Sequence, residues 1–168
     1  MPQRHPHIRE ISIANDKLIP AMVALLDEGK TVTLRLRGRS MRPFLQDNRD
    51  CALFTRCHHP RVGMAVLALV EGGNYVFHRI VSIDGDRVTL RGDGNLGVEH
   101  CKLNDVLAEP LGFYRKGRTT LERPTGWKWR TYSWVWMRTL RIRRYLLAID
   151  DRVRRLAKRM KRITAKAK

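Results

Sequence analysis

Gly38-Arg39-Ser40-Met41-Arg42-Pro43-Phe44-Leu45 follows directly on Thr31-Val32-Thr33-Leu34-Arg35-Leu36-Arg37, a run that alternates strictly between polar and apolar side chains. Alternation with period two predicts a half-buried strand, so Ser40 stands where a strand leaves a sheet. Two stretches answer it downstream: Phe77-His78-Arg79-Ile80 and Arg91-Gly92-Asp93-Gly94-Asn95. A serine after Gly-Arg is by itself an ordinary turn residue, and its hydroxyl is a poor nucleophile at neutral pH. An imidazole within hydrogen-bond reach can remove the hydroxyl proton as the oxygen attacks a carbonyl. A carboxylate behind the ring then fixes the tautomer and stabilises the imidazolium. Ser40, His78 and Asp93 occur in that order, 38 and then 15 residues apart.

The three motifs resemble the serine peptidase superfamily that joins signal peptidases to LexA-type self-cleaving repressors, over some 80 residues of the chain. In that family Ser-Met-x-Pro carries the nucleophile, His-Arg-hydrophobic the base, and Gly-Asp-x-Asn the acid or its support. The resemblance implies Ser40 as nucleophile and His78 as general base of a peptidase that works through an acyl-enzyme. Bacterial signal peptidases and LexA-type repressors use a lysine as base. His78 is therefore similar to the branch that includes the endoplasmic-reticulum, archaeal and sporulation-type enzymes. In those, a second acid six residues beyond the Gly-Asp aspartate is the better candidate for the catalytic one, and that position here is Glu99. Asp93 and Glu99 both stand as candidates. The backbone N–H of Ser40 is the implied oxyanion donor. Met41 and Pro43 belong to the same oxyanion and substrate-binding motif, and the substrate is expected as an added strand with small residues before the scissile bond. The family's Gly-Asp turns appear as Arg49-Asp50 and Gly63-Met64, departures that fall on scaffold turns.

The remaining pattern predicts a mostly β fold, implied by the resemblance to be signal-peptidase/LexA-like with small barrel-like sheets. A short N-terminal helix near residues 16–28 puts Leu18, Ile19, Met22, Leu25 and Leu26 on one face, with Gly29 as its stop. Pro20 is tolerated only near a helix start. Strands are expected at 31–37, 51–54, 65–70, 75–83, 87–91 and 106–114, with Asp84-Gly85-Asp86 as the clearest hairpin turn. Ile8–Ile13 alternates more weakly. The peptidase domain is assigned to residues 1–121, its catalytic β-fold to 31–114, and Glu122–Gly126 marks the boundary with a Trp-rich basic helical tail over 122–168.

Charge is distributed unevenly. The whole chain carries 34 basic and 16 acidic residues, +18, but residues 127–168 hold fifteen Lys/Arg against two Asp, a net +13, and the first 126 residues only +5. Within the tail Ile142, Leu146, Ile149, Val153, Leu156, Met160 and Ile163 are spaced by fours and threes, a narrow apolar seam. Three readings of the tail stand open: docking of the seam on the catalytic domain, attachment to an anionic membrane surface helped by Trp127, Trp129, Trp134 and Trp136, and nucleic-acid binding. The seam also permits a homodimer. With about 37 residues before Ser40 there is no room for the helix-turn-helix of a repressor. No signal-peptide run and no apolar stretch of roughly 18–20 residues is found. Three cysteines in such a chain fit a reducing compartment. A cytoplasmic enzyme, peripheral at the inner membrane face, is expected. Cys51, Cys57, His58, His59, His100 and Cys101 match no standard zinc spacing. No metal and no cofactor is predicted. A catalytically inactive binding or regulatory module acting through its tail is the alternative function.

Overall fold

The computed structural model describes residues 15–116 and 118–139, together with 142, 145–150, 152, 153, 155, 156 and 160. The stretch Ile8–Ile13 and residue Ile163 of the seam lie outside the described residues. Helix α1 (Asn15–Asp27) leads into β1 (Val32–Arg35), β2 (Cys51–Arg56), β3 (Ala65–Leu69), β4 (Tyr75–Asp84), β5 (Arg87–Arg91), β6 (Glu99–Lys102), β7 (Val106–Tyr114) and β8 (Leu121–Glu122), and helix α2 (Trp127–Arg138) follows. A single 3-10 turn at Leu103–Asp105 separates β6 from β7. Pro20 sits in the second turn of α1 rather than the first, so one backbone hydrogen bond of the helix is missing there.

The eight strands form one curled, wholly antiparallel sheet in the order β1-β2-β7-β3-β4-β5-β6, with β8 added against the end of β7. The mostly β class expected from the alternating runs is the one observed. Side chains alternate across the sheet and each face has its own core. One face carries Ala52, Phe54, Leu67, Ala108 and Phe113, covered by Ile19, Met22 and Leu26 of α1 and by Trp129 of α2. The other gathers Val66, Ala68, Ile80, Val88, Leu90 and Val106. The narrow apolar stripe of α1 is thus the reason the helix docks at all, since 13 residues would be a marginal helix alone.

The loop bearing Ser40 is tied at both ends. Gly38 takes φ +91°, a conformation side chains rarely tolerate, and its N–H donates to Asp47 Oδ1 at 2.9 Å. Met41 and Leu45 of the loop are buried in the α1-covered core. At its far end the fully buried Asp50 accepts from Arg49 Nε and Nη2 and from the N–H groups of Gln46 and Lys116. Burial opposes its ionisation, but the Arg49 guanidinium and the two backbone N–H groups outweigh that and hold its carboxyl below the usual range. The stability it contributes is therefore complete above about pH 4 and is lost as the pH falls through its folded-state pKa. Replacing Asp50 by Ala removes the acceptor of four N–H donors from three residues, and we expect urea unfolding to show a loss of about 2–3 kcal/mol at pH 7, narrowing as the pH is lowered to 3. An unchanged midpoint would remove Asp50 as the anchor of this loop.

Candidate active site

Strand β4 presents two neighbouring residues to opposite sides. His78 is 4% exposed and Arg79 1% exposed, and each meets its own acid. Register explains the first pairing. Leu90 of β5 lies opposite both Ile80 of β4 and Glu99 of β6, so Glu99 and His78 share one face of the sheet two strands apart. There His78 Nδ1 is hydrogen-bonded to Glu99 Oε2. With Nδ1 engaged, the ring's Nε2 is the nitrogen left to accept a proton. Burial pushes the His78 pKa below its ordinary value, against the raising effects of Glu99, by charge and hydrogen bond, and of Asp93 at longer range. The imidazole is thereby neutral, and able to act as a base, at neutral pH.

Ser40 lines a small cavity of about 140 Å³ together with Met41, Leu36, Tyr75, Phe77 and His78. The serine and the histidine reach the same space from different elements, the loop after β1 and the middle of β4, although their side chains are not hydrogen-bonded to each other. The same cavity lies between the segment that follows β1 and Tyr75–His78 of β4. Among the described residues β1 is paired only with β2, and Tyr75–His78 of β4 only with β3, because the β5 ladder begins at Arg79. Pro43, whose peptide bond to Arg42 is cis, does not line the cavity. The Gly38 N–H is engaged by Asp47 Oδ1.

Asp93 is placed differently from Glu99. It is fully buried and forms a bidentate pair with Arg79, Nε to Oδ1 at 2.9 Å and Nη2 to Oδ2 at 2.7 Å. Tyr132 Oη donates to the same Oδ2 at 2.9 Å, and the Trp136 indole N–H donates to the Asp93 carbonyl at 3.0 Å. The second Nη of Arg79 donates to Gly63 O and to Ser133 Oγ. Three residues of α2 are thus bonded to one ion pair, and Trp129 and Tyr132 of the same helix pack on Phe44 of the serine loop, with ring centroids 4.9 and 4.8 Å away.

The turn that holds Asp93 presses directly on the Ser40 loop. Gly94 N–H donates to Ser40 O at 2.6 Å. A side chain at Gly92 would come within 2.7 Å of that same carbonyl, and one at Gly94 would collide with Arg39 O and Arg42. Both glycines are required by this close approach. Reading the sequence for chemistry missed Arg79, Tyr132 and Trp136 as supports of the site. The signal lay in the spacing of Trp129, Tyr132 and Trp136, three and then four residues apart on one helical face.

Burial pushes the Cys57 and Cys101 thiols up to about 11, and all three cysteines are free. No cluster of three or more His, Cys, Asp or Glu able to hold a metal occurs among the described residues. If the two acids are divided as their contacts indicate, replacing Glu99 by Gln lowers the His78 pKa further, because a charge and a charged hydrogen bond that raise it are both lost. Asp93→Asn lowers it less. Imidazole proton chemical shifts followed against pH check the order, and a larger fall in Asp93→Asn would reverse the assignment. Compared with known proteins, the chain matches no protein-family model and no curated protein.

Proposed function

We propose that this chain is a serine peptidase with Ser40 as nucleophile, His78 as general base and Glu99 as the acid that orients it. The observation that carries this reading is the His78–Glu99 hydrogen bond at a ring that shares its cavity with Ser40. Glu99 holds the proton on Nδ1, so Nε2 takes the Ser40 proton as Oγ attacks the substrate carbonyl. The developing oxyanion is met by the Ser40 N–H. The imidazolium, stabilised by Glu99, gives its proton to the departing amine and leaves an acyl-enzyme on Ser40. Water, deprotonated by the same Nε2, then releases the acid product.

An extended peptide would lie between the end of β1 and Tyr75–His78 of β4, edges that no other strand covers among the described residues, and add to the sheet by β-augmentation. A cavity of about 140 Å³ beside Ser40 favours a small side chain before the scissile bond. The resemblance to the signal-peptidase/LexA-like superfamily, in its Ser-His branch, supports the same assignment. In this reading Asp93 is a positioning residue, engaged by Arg79 and by α2.

A fluorophosphonate probe is expected to label the wild-type protein at Ser40 and to leave Ser40→Ala unlabelled. Glu99→Gln should slow labelling by about 10²–10⁴-fold while remaining folded, the loss expected when a base no longer has its orienting acid. Folded wild-type protein that is never labelled would sink the proposal in favour of an inactive binding module.

A further inference from the structure

Helix α2 has two aromatic faces. Trp129, Tyr132 and Trp136 point inward to the Arg79–Asp93 pair, whereas Trp127 and Trp134, seven residues apart on the other side, are 74% and 60% exposed. Each outer ring carries a cation: Arg138 lies 4.5 Å over Trp134, and Lys128 Nζ lies 6.0 Å from Trp127. Beside this face opens a groove of about 1460 Å³, with Val62 and Leu111 of the sheet side on its wall and Arg61, Arg123 and Arg130 around it. Among the described residues Glu109 is the acid that lines it.

The chain beyond α2 repeats the pattern. It is helical over 145–150 and again at 152, 153, 155 and 156. Ile142, Ile149, Val153 and Leu156 of the seam are between 51% and 61% exposed, while Leu147, off the seam, is the residue of this segment that is buried. Leu146 of the seam is half buried, but most of its described residues are not covered by the rest of the protein. Exposed aliphatic and indole side chains sit in a segment whose net charge is +13.

We infer that the outer face of α2, its neighbouring groove and the exposed seam form a docking surface for an anionic lipid bilayer. Indole rings with apolar bodies and polar edges settle at headgroup depth, aliphatic side chains enter the acyl boundary, and Lys and Arg meet the anionic headgroups. A phosphodiester backbone would use the charge but would leave the aliphatic seam in water. A second copy would cover the seam but would bring two strongly basic segments together. The bilayer satisfies both features at once. Because the inner face of α2 holds the Asp93 turn, such docking attaches the body of the protein to the surface through the element that also supports Ser40.

Flotation of the full chain with vesicles tests this. Vesicles of phosphatidylcholine with phosphatidylglycerol should carry the protein, and pure phosphatidylcholine vesicles should not. Trp127→Ala with Trp134→Ala, or Ile149→Ser with Val153→Ser, should each weaken binding about tenfold or more, while Ser40→Ala binds as the wild type does. Equal binding to neutral vesicles, or full binding by both double variants, would overturn the proposal. So would an absence of vesicle binding together with DNA binding, or with a dimer that Ile149→Ser/Val153→Ser dissociates. Since Ser40→Ala serves as the binding control, failure here is distinguishable from failure of the peptidase reading.

Discussion

The buried ion pair between Arg79 and Asp93 is the contact on which the arrangement of the site depends. Neither partner reaches solvent, and taking both charges out of water is expensive unless their donors and acceptors are satisfied. Most are: Arg79 gives both N–H groups of its Nη1 to Gly63 and Ser133, and Asp93 accepts from Tyr132 as well as from Arg79. The consequence is positional. The pair lies where β4, the Gly92–Gly94 turn and α2 converge, and the Gly94 N–H passes that position on to the Ser40 carbonyl. Trp129 and Tyr132 add aromatic contacts to Phe44, so the serine loop is held from the turn and from the helix together.

Two acids with the same chemistry thus do different things because of their surroundings. Asp93 has a permanent cation against it and stays committed to structure. Glu99, half exposed at the start of β6, has no fixed cation against it among the described residues and meets the His78 ring. For the proposed hydrolase this separation is useful, because the residue that orients the base is not also required to hold the loops in place. It likewise makes α2 a support of the Ser40 loop and the Asp93 turn, although its residues fall in the segment that charge and tryptophan content set apart.

Much of this was legible in the residues. Strands such as β1, β4 and β5 announce themselves by alternation because one face of each is buried, and the Asp84-Gly85-Asp86 turn lies between β4 and β5 as its chemistry requires. The order Ser40, His78, then an acid was equally plain. Strand β6 was not, because Glu99-His100-Cys101-Lys102 has no apolar alternation to reveal it. Its absence from the reading is also why the choice between Asp93 and Glu99 stayed open. Only the register through Leu90 brings Glu99 level with Ile80 and within reach of His78. In the tail, the regular spacing of Ile and Leu marks a seam of which Ile142, Ile149, Val153, Leu156 and Met160 are exposed. The contacts that matter to the site come from Tyr132 and Trp136, whose polar ends reach a buried carboxylate and a backbone carbonyl. Periodicity reports which residues share a face, and it carries no information on where a phenol or indole finds its acceptor.

The dependence of the serine loop on α2 can be measured at one amide. Native-state hydrogen exchange of the Gly94 N–H, compared between the wild type and a Tyr132→Phe/Trp136→Phe variant, reports whether the helix holds that turn against Ser40. Loss of two hydrogen bonds should accelerate exchange at Gly94 roughly fivefold or more, with the Val88 and Leu90 amides of β5 unchanged. If Gly94 exchanges at its wild-type rate while the α2 amides alone become fast, the helix is only a neighbour of the site and the account is wrong.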